Sequence, residues 1–286
     1  MNLYLEEQKM KKSIKLALLA ALTAFSVVAV GCGGGEKKAE TKKADPNAPI
    51  KIGVTAGPHD EIMDNVIKLA DKKGIKIEKV VFNDFVGPNI ALNDKQLFAN
   101  SMQHLPYLKA TLAKNPKFEL VNCFNTVTFP MAIYSNKIKK LDEIKEGATV
   151  AIPNDPSNGG RALLVLADKG LLEVKDKNDI KTTVADITKN PKKLKIRELD
   201  AASIPKVLPD MDAAVINANY ALVAKLNPSK DSIAIEGKDV PYVCIWVTTK
   251  ANEKDPRNAQ LKEIYQSAEN KKFIEDHFKG TITCGF

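Results

Sequence analysis

Residues 149–172 read TVAIPNDPSNGGRALLVLADKGLL, and this stretch decides the fold because it joins an apolar strand to a helix through a polar turn. Asp155 can cap the helix with its side chain, and Pro156 suits the first helical position, where a missing N–H costs nothing. Gly170 is placed to end the helix. The stretch therefore predicts one strand–turn–helix unit of an α/β protein.

The first turn of this helix carries a candidate site for an anion. Gly159 and Gly160 leave the backbone bare, which predicts close approach of another group. Arg161 follows them, and Asn158 lies on the same helical face. A guanidinium beside the free N–H groups of a helix N-terminus suits a carboxylate, which it can bind through two parallel hydrogen bonds. From these residues alone, a capped surface helix with a solvated arginine is an equal alternative.

Strand-like and helix-like segments alternate from residue 50 to the C-terminus, which predicts βαβ units and largely parallel sheets. The length suits two such sheets better than one. We predict a loop over 84–93, followed by a short helix. Polar and aromatic residues cluster after predicted strands at 83–89, 103–107 and 217–220, and parallel sheets bind ligands at the carboxyl ends of their strands. Taken singly these clusters are ordinary, and an isolated histidine such as His104 is more often structural than ligand-binding.

Composition and missing motifs narrow the function. The chain has 286 residues and a formal net charge of +8, but its lysines are scattered and it has one tryptophan, so we predict no nucleic-acid binding. The sequence lacks the GxSxG, HExxH, P-loop and GxGxxG motifs, which disfavours an enzyme. With three histidines and no CxxC spacing, we predict neither a metal site nor a cofactor.

The N-terminal 49 residues carry a targeting pattern. Basic residues precede an apolar run at 16–30, which is short for a membrane span and typical of a secretory signal. Gly31 and Cys32 end this run as in a bacterial lipobox, so we predict a signal peptide over 1–31 and lipidation of Cys32. Residues 33–49 have few side chains that could be buried in a core. We therefore predict that residues 32–49 comprise the lipidated cysteine and a disordered tether. An ordinary signal peptide, and a start at Met10 rather than Met1, are the alternatives.

Several segments carry a family resemblance: VVFNDFVGPNIAL at 80–92, QHLPYL at 103–108, IPNDPSNGGR at 152–161, NPKKLKI at 190–196, AVINANY at 214–220 and PYV at 241–243. Together they resemble the NlpA family of lipoproteins, the methionine-binding proteins of bacterial ABC importers. The resemblance implies an α/β, two-lobed periplasmic-binding-protein-like fold of type II with the ligand cleft between the lobes. We place lobe 1 at 50–135 plus 240–286 and lobe 2 at 136–239, with crossings near 133–139 and 235–242.

The resemblance also implies a function. The family resemblance implies a lipid-anchored protein outside the cytoplasmic membrane. Such a protein captures an α-amino acid, foremost methionine, and delivers it to an ABC permease with its ATPase. Carried over by position, Arg161 holds the ligand carboxylate with help from Asn158, and Asn217 binds the head group. The cleft is lined by Phe85, Met102, His104, Tyr107 and Cys244, with Phe129 at its edge. Replacing Arg161 with alanine is then predicted to abolish binding in a protein that stays folded.

Three residues depart from the family pattern and keep other ligands open. Phe85 stands where the family usually has tyrosine, Met102 where it has an aromatic residue, and Cys244 where it commonly has asparagine. Losing a polar group from a buried head-group site costs about 1–3 kcal/mol in affinity. Another amino acid, a short peptide, or an adhesin or signalling role on the same fold are the alternatives to methionine transport. The sequence leaves the redox state of Cys123, Cys244 and Cys284 open.

Overall fold

The computed structural model describes residues 48–237 and 240–286. The predicted signal peptide, the predicted lipidation site at Cys32 and nearly all of the predicted tether lie outside these residues. In the described part of the chain, no helix is long and apolar enough to cross a membrane. The described cysteines are free thiols, so the structure pairs none of them in a disulfide.

Strands and helices alternate through most of the described chain. The strands are β1 (Ile50–Thr55), β2 (Ile77–Phe82), β3 (Ala99–His104), β4 (Leu120–Thr128), β5 (Met131–Tyr134), β6 (Thr149–Pro153), β7 (Glu173–Val174), β8 (Ile187–Lys189), β9 (Lys195–Leu199), β10 (Ala213–Asn217), β11 (Ala234–Ile235), β12 (Val243–Thr249) and β13 (Thr283–Cys284). The α-helices are α1 (Pro58–Asp71), α2 (Gly87–Asn93), α3 (Leu105–Lys114), α4 (Pro156–Asp168), α5 (Ile204–Val207), α6 (Ala218–Val223), α7 (Pro256–Tyr265) and α8 (Ala268–Phe278). Single 3-10 turns lie at Leu141–Glu143, Val184–Asp186, Leu208–Asp210 and Lys250–Asn252.

Two mixed sheets organise the chain, and both contain antiparallel strands that the sequence analysis did not predict. The first has the order β13-β4-β12-β3-β1-β2 and the second β11-β5-β10-β6-β9. β1 runs parallel to β2 and β3, and β6 runs parallel to β9 and β10. β12 is antiparallel to β3 and β4, and β5 is antiparallel to β10. The prediction of largely parallel sheets was wrong at β5 and β12. The chain reaches each of these strands directly from a strand of the other sheet and not through a crossover helix.

Between its described strands, the chain crosses from one of these two sheets to the other twice. The first crossing is the short link between β4 and β5, and the second joins β11 to β12. Because β5 pairs with β10, residues 131–134 already belong to the second sheet. The division into lobes stays a prediction, and we propose that its first boundary lies at 129–130 instead of 135.

A strand and a helix replace the predicted loop and short helix between residues 84 and 104. Pro88 lies in the first turn of α2, where a proline is favoured. The predicted short helix is instead β3, whose residues are all buried although several are polar. Asn89 Nδ2 donates to Gln103 Oε1 over 2.9 Å, and Asn100 Nδ2 donates to Asn89 Oδ1 over 2.9 Å. These amides satisfy one another, so a buried strand forms without the apolar pattern that would have revealed it.

The unit at 149–172 forms β6 and α4 as predicted. Asp155 Oδ1 accepts from the backbone N–H of Asn158 over 2.9 Å, which confirms the N-cap. Gly170 has a φ of +73°, as expected for the residue that ends a helix. The glycines in the first turns of α4 meet backbone of the same chain. A Cβ on Gly160 would lie 2.8 Å from the carbonyl oxygen of Thr182 and 2.9 Å from that of Ile180.

We therefore expect Gly160→Ala to lower the free energy of unfolding by about 1–3 kcal/mol, because two backbone carbonyls cannot yield to a methyl group as a side chain can. Thermal unfolding measures the loss. Gly237→Ala is the matched control, since no described atom lies within 4 Å of a Cβ placed there. Equal melting temperatures for the two variants would contradict the close contact.

Candidate functional site

A small cavity of about 30 Å³ lies where the carboxyl ends of strands from both sheets meet. The described residues that line it are His59, Phe85, Met102, Gln103, His104, Tyr107, Phe129, Pro130, Asn158, Arg161, Asn217, Ala218, Asn219, Tyr242 and Cys244.

The structure brings all the side chains proposed from the sequence to this one cavity. Phe85, Met102, His104 and Tyr107 come from the first sheet and its connections, and Cys244 begins the returning strand β12; Asn158, Arg161 and Asn217 come from the second sheet and α4. Phe129, expected at the edge, also lines it. The three polar clusters therefore converge. That these side chains bind a ligand stays a prediction.

Arg161 is buried in this cavity, so the alternative of a solvated surface arginine is wrong: the residue is only 2% exposed. Its Nε donates to Glu236 Oε1 over 2.8 Å, and its Nη2 donates to Glu236 Oε2 over 2.5 Å. Nη2 also donates to the carbonyl oxygen of Phe129 over 2.7 Å. The guanidinium carbon lies 4.2 Å from the ring centre of Tyr242. Among residues 48–237 and 240–286, Arg161 makes these hydrogen bonds through Nε and Nη2, and Nη1 has no acceptor.

Glu236 is the site residue that the sequence analysis missed. Its backbone N–H donates to the carbonyl oxygen of Met131 over 2.9 Å, and its Oε2 accepts from the Met131 N–H over 3.0 Å. These bonds fix the carboxylate beside the first crossing. A lone acidic residue after the apolar Ala234 and Ile235, within the predicted second crossing, was the available signal.

A hydrogen-bonded group joins the two sheets across the cavity. Asn158 Oδ1 lies 2.9 Å from Asn217 Nδ2, which donates to it, and 3.1 Å from His104 Nε2. His104 Nδ1 accepts from the backbone N–H of Tyr107 over 3.1 Å, so the imidazole proton resides on Nε2. Burial, and then the positive charge of Arg161, lower the pKa of His104 to about 3, so the imidazole is neutral.

Aromatic rings form one wall of the cavity. Phe85 and Tyr107 line the cavity with their ring centres 5.7 Å apart. Phe85 also packs against Tyr220, which is not a lining residue, with ring centres 4.7 Å apart. Met102 and Cys244 are buried beside them. Burial raises the pKa of the Cys244 thiol to about 12, so the thiol stays protonated. Such a wall suits an apolar ligand side chain.

Several buried polar atoms at the cavity have no hydrogen-bond partner among the described residues. They are His59 Nδ1, Asn217 Oδ1, Asn219 Nδ2 and the Tyr242 hydroxyl. A buried polar atom without a partner costs about 1–3 kcal/mol, and this set includes both donors and acceptors. Asn219 lay in a predicted cluster, whereas His59 and Tyr242 carried no ligand-binding signal.

Comparison with known proteins gives one consistent result. The model of the family described as NlpA lipoprotein matches residues 50–286. The D-methionine-binding lipoprotein MetQ of Escherichia coli K12 is 43% identical over 280 residues, which cover 94% of this chain and 99% of that protein.

Solved structures agree. A nutrient binding protein from Burkholderia cenocepacia bound to methionine is 44% identical, with a TM-score of 0.80, over 83% of this chain and 100% of that one. An ABC transporter periplasmic substrate-binding protein from Coxiella burnetii is 38% identical, with a TM-score of 0.79, over 82% of this chain and 100% of that one. The predicted fold class is confirmed: the chain has the periplasmic-binding-protein fold of these neighbours.

Proposed function

This chain belongs to the NlpA lipoprotein family, and we propose that it captures methionine outside the cytoplasmic membrane and delivers it to an ABC importer. Lipidation at Cys32 would anchor it, and the partners would be a permease and its ATPase. The single observation that carries the proposal is the buried Arg161, whose Nη1 is available in a cavity walled by aromatic rings.

The polar atoms support an amino-acid head group. The ligand carboxylate would accept from Arg161 Nη1, because a guanidinium is the strongest carboxylate donor that a side chain offers. The ammonium group would donate to Asn217 Oδ1 and to the Tyr242 hydroxyl, two of the buried atoms that lack partners. An α-amino acid supplies both kinds of partner from one carbon atom.

The aromatic wall supports a thioether side chain. Phe85 and Tyr107 line the cavity and meet each other edge to face, and sulfur packs favourably against aromatic rings, by about 0.3–1.5 kcal/mol. Met102 adds a polarisable neighbour. These contacts favour methionine over polar amino acids of the same length.

Hinge closure would bury the ligand. We propose two lobes that meet at the cavity and move about the crossings at 129–130 and 236–242. The hydrogen bond between His104 of β3 and Asn158 of α4 runs from one lobe to the other and would form on closure. Hinged closure around a ligand is an established mode in proteins of this architecture.

Binding without turnover fits the side chains of the cavity. The Cys244 thiol is protonated, and His104 donates its proton to an amide oxygen, so this pair gives no activated nucleophile. We therefore propose a receptor and not an enzyme.

Ligand carry-over tests the proposal. The purified protein is denatured, the released small molecules are identified by mass spectrometry, and L- and D-methionine are then titrated by calorimetry. We expect methionine to be released and rebound. Release of another amino acid or a short peptide would redirect the substrate, and an empty cavity with no thermal shift across the amino acids would favour the adhesin or signalling alternative.

A further inference from the structure

Glu236 contacts Arg161, which is the only permanently charged side chain among the described residues that line the cavity. Arg161 lines it, and Glu236 contacts the guanidinium through both carboxylate oxygens, at 2.8 Å and 2.5 Å. The side chains of Arg161 and Glu236 are 3% and 5% exposed. The pair is therefore shielded from water, and its charges are felt strongly by anything bound beside it.

The other described groups at the cavity leave this charge balance unchanged. Burial lowers the pKa of both His59 and His104 to about 3, so both rings are neutral. Burial, and then the negative charges of Asp200, Asp84 and Asp155, raise the pKa of Tyr220, but these carboxylates do not line the cavity and each is at least partly exposed to solvent. Solvent screens such charges, whereas the buried pair is not screened.

Charge counting then restricts the ligand. The guanidinium and Glu236 cancel, so a bound carboxylate leaves one uncompensated negative charge in a buried site. Burial of an unpaired charge is strongly unfavourable. A ligand that also carries an ammonium group restores neutrality, whereas a simple carboxylic acid does not.

We propose that Glu236 is a specificity-determining residue, which cancels the charge of Arg161 and makes the cavity select zwitterions over simple anions. This inference rests on the proposed function, because it assigns the ligand carboxylate to Arg161. It gives a role to a carboxylate that competes for the guanidinium next to the cavity.

The test compares two ligands that differ only in the ammonium group. L-Methionine and its des-amino analogue, 4-(methylsulfanyl)butanoate, are titrated by calorimetry into the wild type, Glu236→Gln and Glu236→Asp. Glu146→Gln is the matched control, because Glu146 pairs with Lys193 on the surface, away from the cavity. Thermal unfolding of each variant establishes that it is folded at the temperature of the titration.

In Glu236→Gln we expect the preference for methionine over the analogue to fall by roughly tenfold or more, since removal of one nearby buried charge changes the interaction by over a kcal/mol. Glu236→Asp keeps the charge, so it should keep the wild-type preference even if both affinities fall. Glu146→Gln should match the wild type.

Equal losses of affinity for both ligands in Glu236→Gln would overturn the inference and make Glu236 a merely structural partner of Arg161. If Glu236→Gln does not fold, the wild type decides: equal affinities for methionine and the analogue would overturn the inference, and at least tenfold tighter binding of methionine would support it. A wild type that binds neither ligand would instead overturn the proposed function itself, so the two failures are distinguishable.

Discussion

Replacing Arg161 with alanine is expected to abolish methionine binding and also to destabilise the protein. Binding is lost because, among the described residues that line the cavity, no other side chain is permanently charged and able to hold a carboxylate. Stability is lost because Glu236, whose side chain is 5% exposed, would keep a buried charge without its partner. Breaking a buried ion pair in this way costs about 3–5 kcal/mol. The sequence alone predicts a variant that stays folded, and the ion pair adds the expectation of a large loss of stability.

Calorimetry and chemical denaturation measure the two effects separately. The single tryptophan, Trp246, is fully buried with its ring centre 5.1 Å from that of Phe124, so its fluorescence reports unfolding of the first sheet. The matched control is Arg161→Met combined with Glu236→Gln, which removes both charges. This double variant should regain most of the lost stability and still fail to bind methionine. Wild-type affinity in Arg161→Ala would remove Arg161 from the site.

Acidification is expected to destabilise the protein already at pH values well above those at which carboxylates titrate. Burial lowers the pKa of His59 and of His104 from 6.5 to about 3. Both rings are neutral in the folded protein, while the unfolded chain takes up protons below pH 6.5. The stability is therefore complete above about pH 7 and declines as the pH falls below 6.5, by about 1.4 kcal/mol per pH unit for each histidine. For two histidines the loss reaches about 4 kcal/mol at pH 5.

Urea denaturation at pH 8, 7, 6 and 5 measures this slope. In His59→Gln and in His104→Gln the slope should be half that of the wild type, because one buried imidazole remains in each. Replacement of His277, which lies on the exposed surface of α8, is the reference for replacing a histidine that is not buried. A free energy of unfolding that is the same at pH 5 and pH 7 would contradict the burial of both rings.

Local signals in the sequence predicted the framework of the site well. The Asp155 cap, Pro156 and Gly170 follow from chemistry within a few residues, so α4 and the position of Arg161 on it could be predicted. Polar residues after apolar strands marked the sheet edge at which the cavity lies. The resemblance to the family then supplied the roles that we propose for them.

Contacts between residues far apart in the sequence could not be predicted from it. Glu236 lies 75 residues from Arg161 in sequence, and the sequence around neither residue indicates that the two pair. β3 was missed because its buried amides satisfy one another across α2, which leaves no alternating apolar pattern. The antiparallel strands were missed because the direction of β5 and β12 depends on where the chain crosses between the sheets.

The measurement that tests the central claim most directly is the distance between Arg161 Nη1 and the ligand carboxylate in a crystal structure grown with methionine. We expect about 2.7–2.9 Å, the length of a charged N–H···O bond, with the contacts of Arg161 to Glu236 retained and the thioether against Phe85 and Tyr107. Methionine bound outside this cavity, or bound within it with its carboxylate turned away from Arg161, would contradict the account.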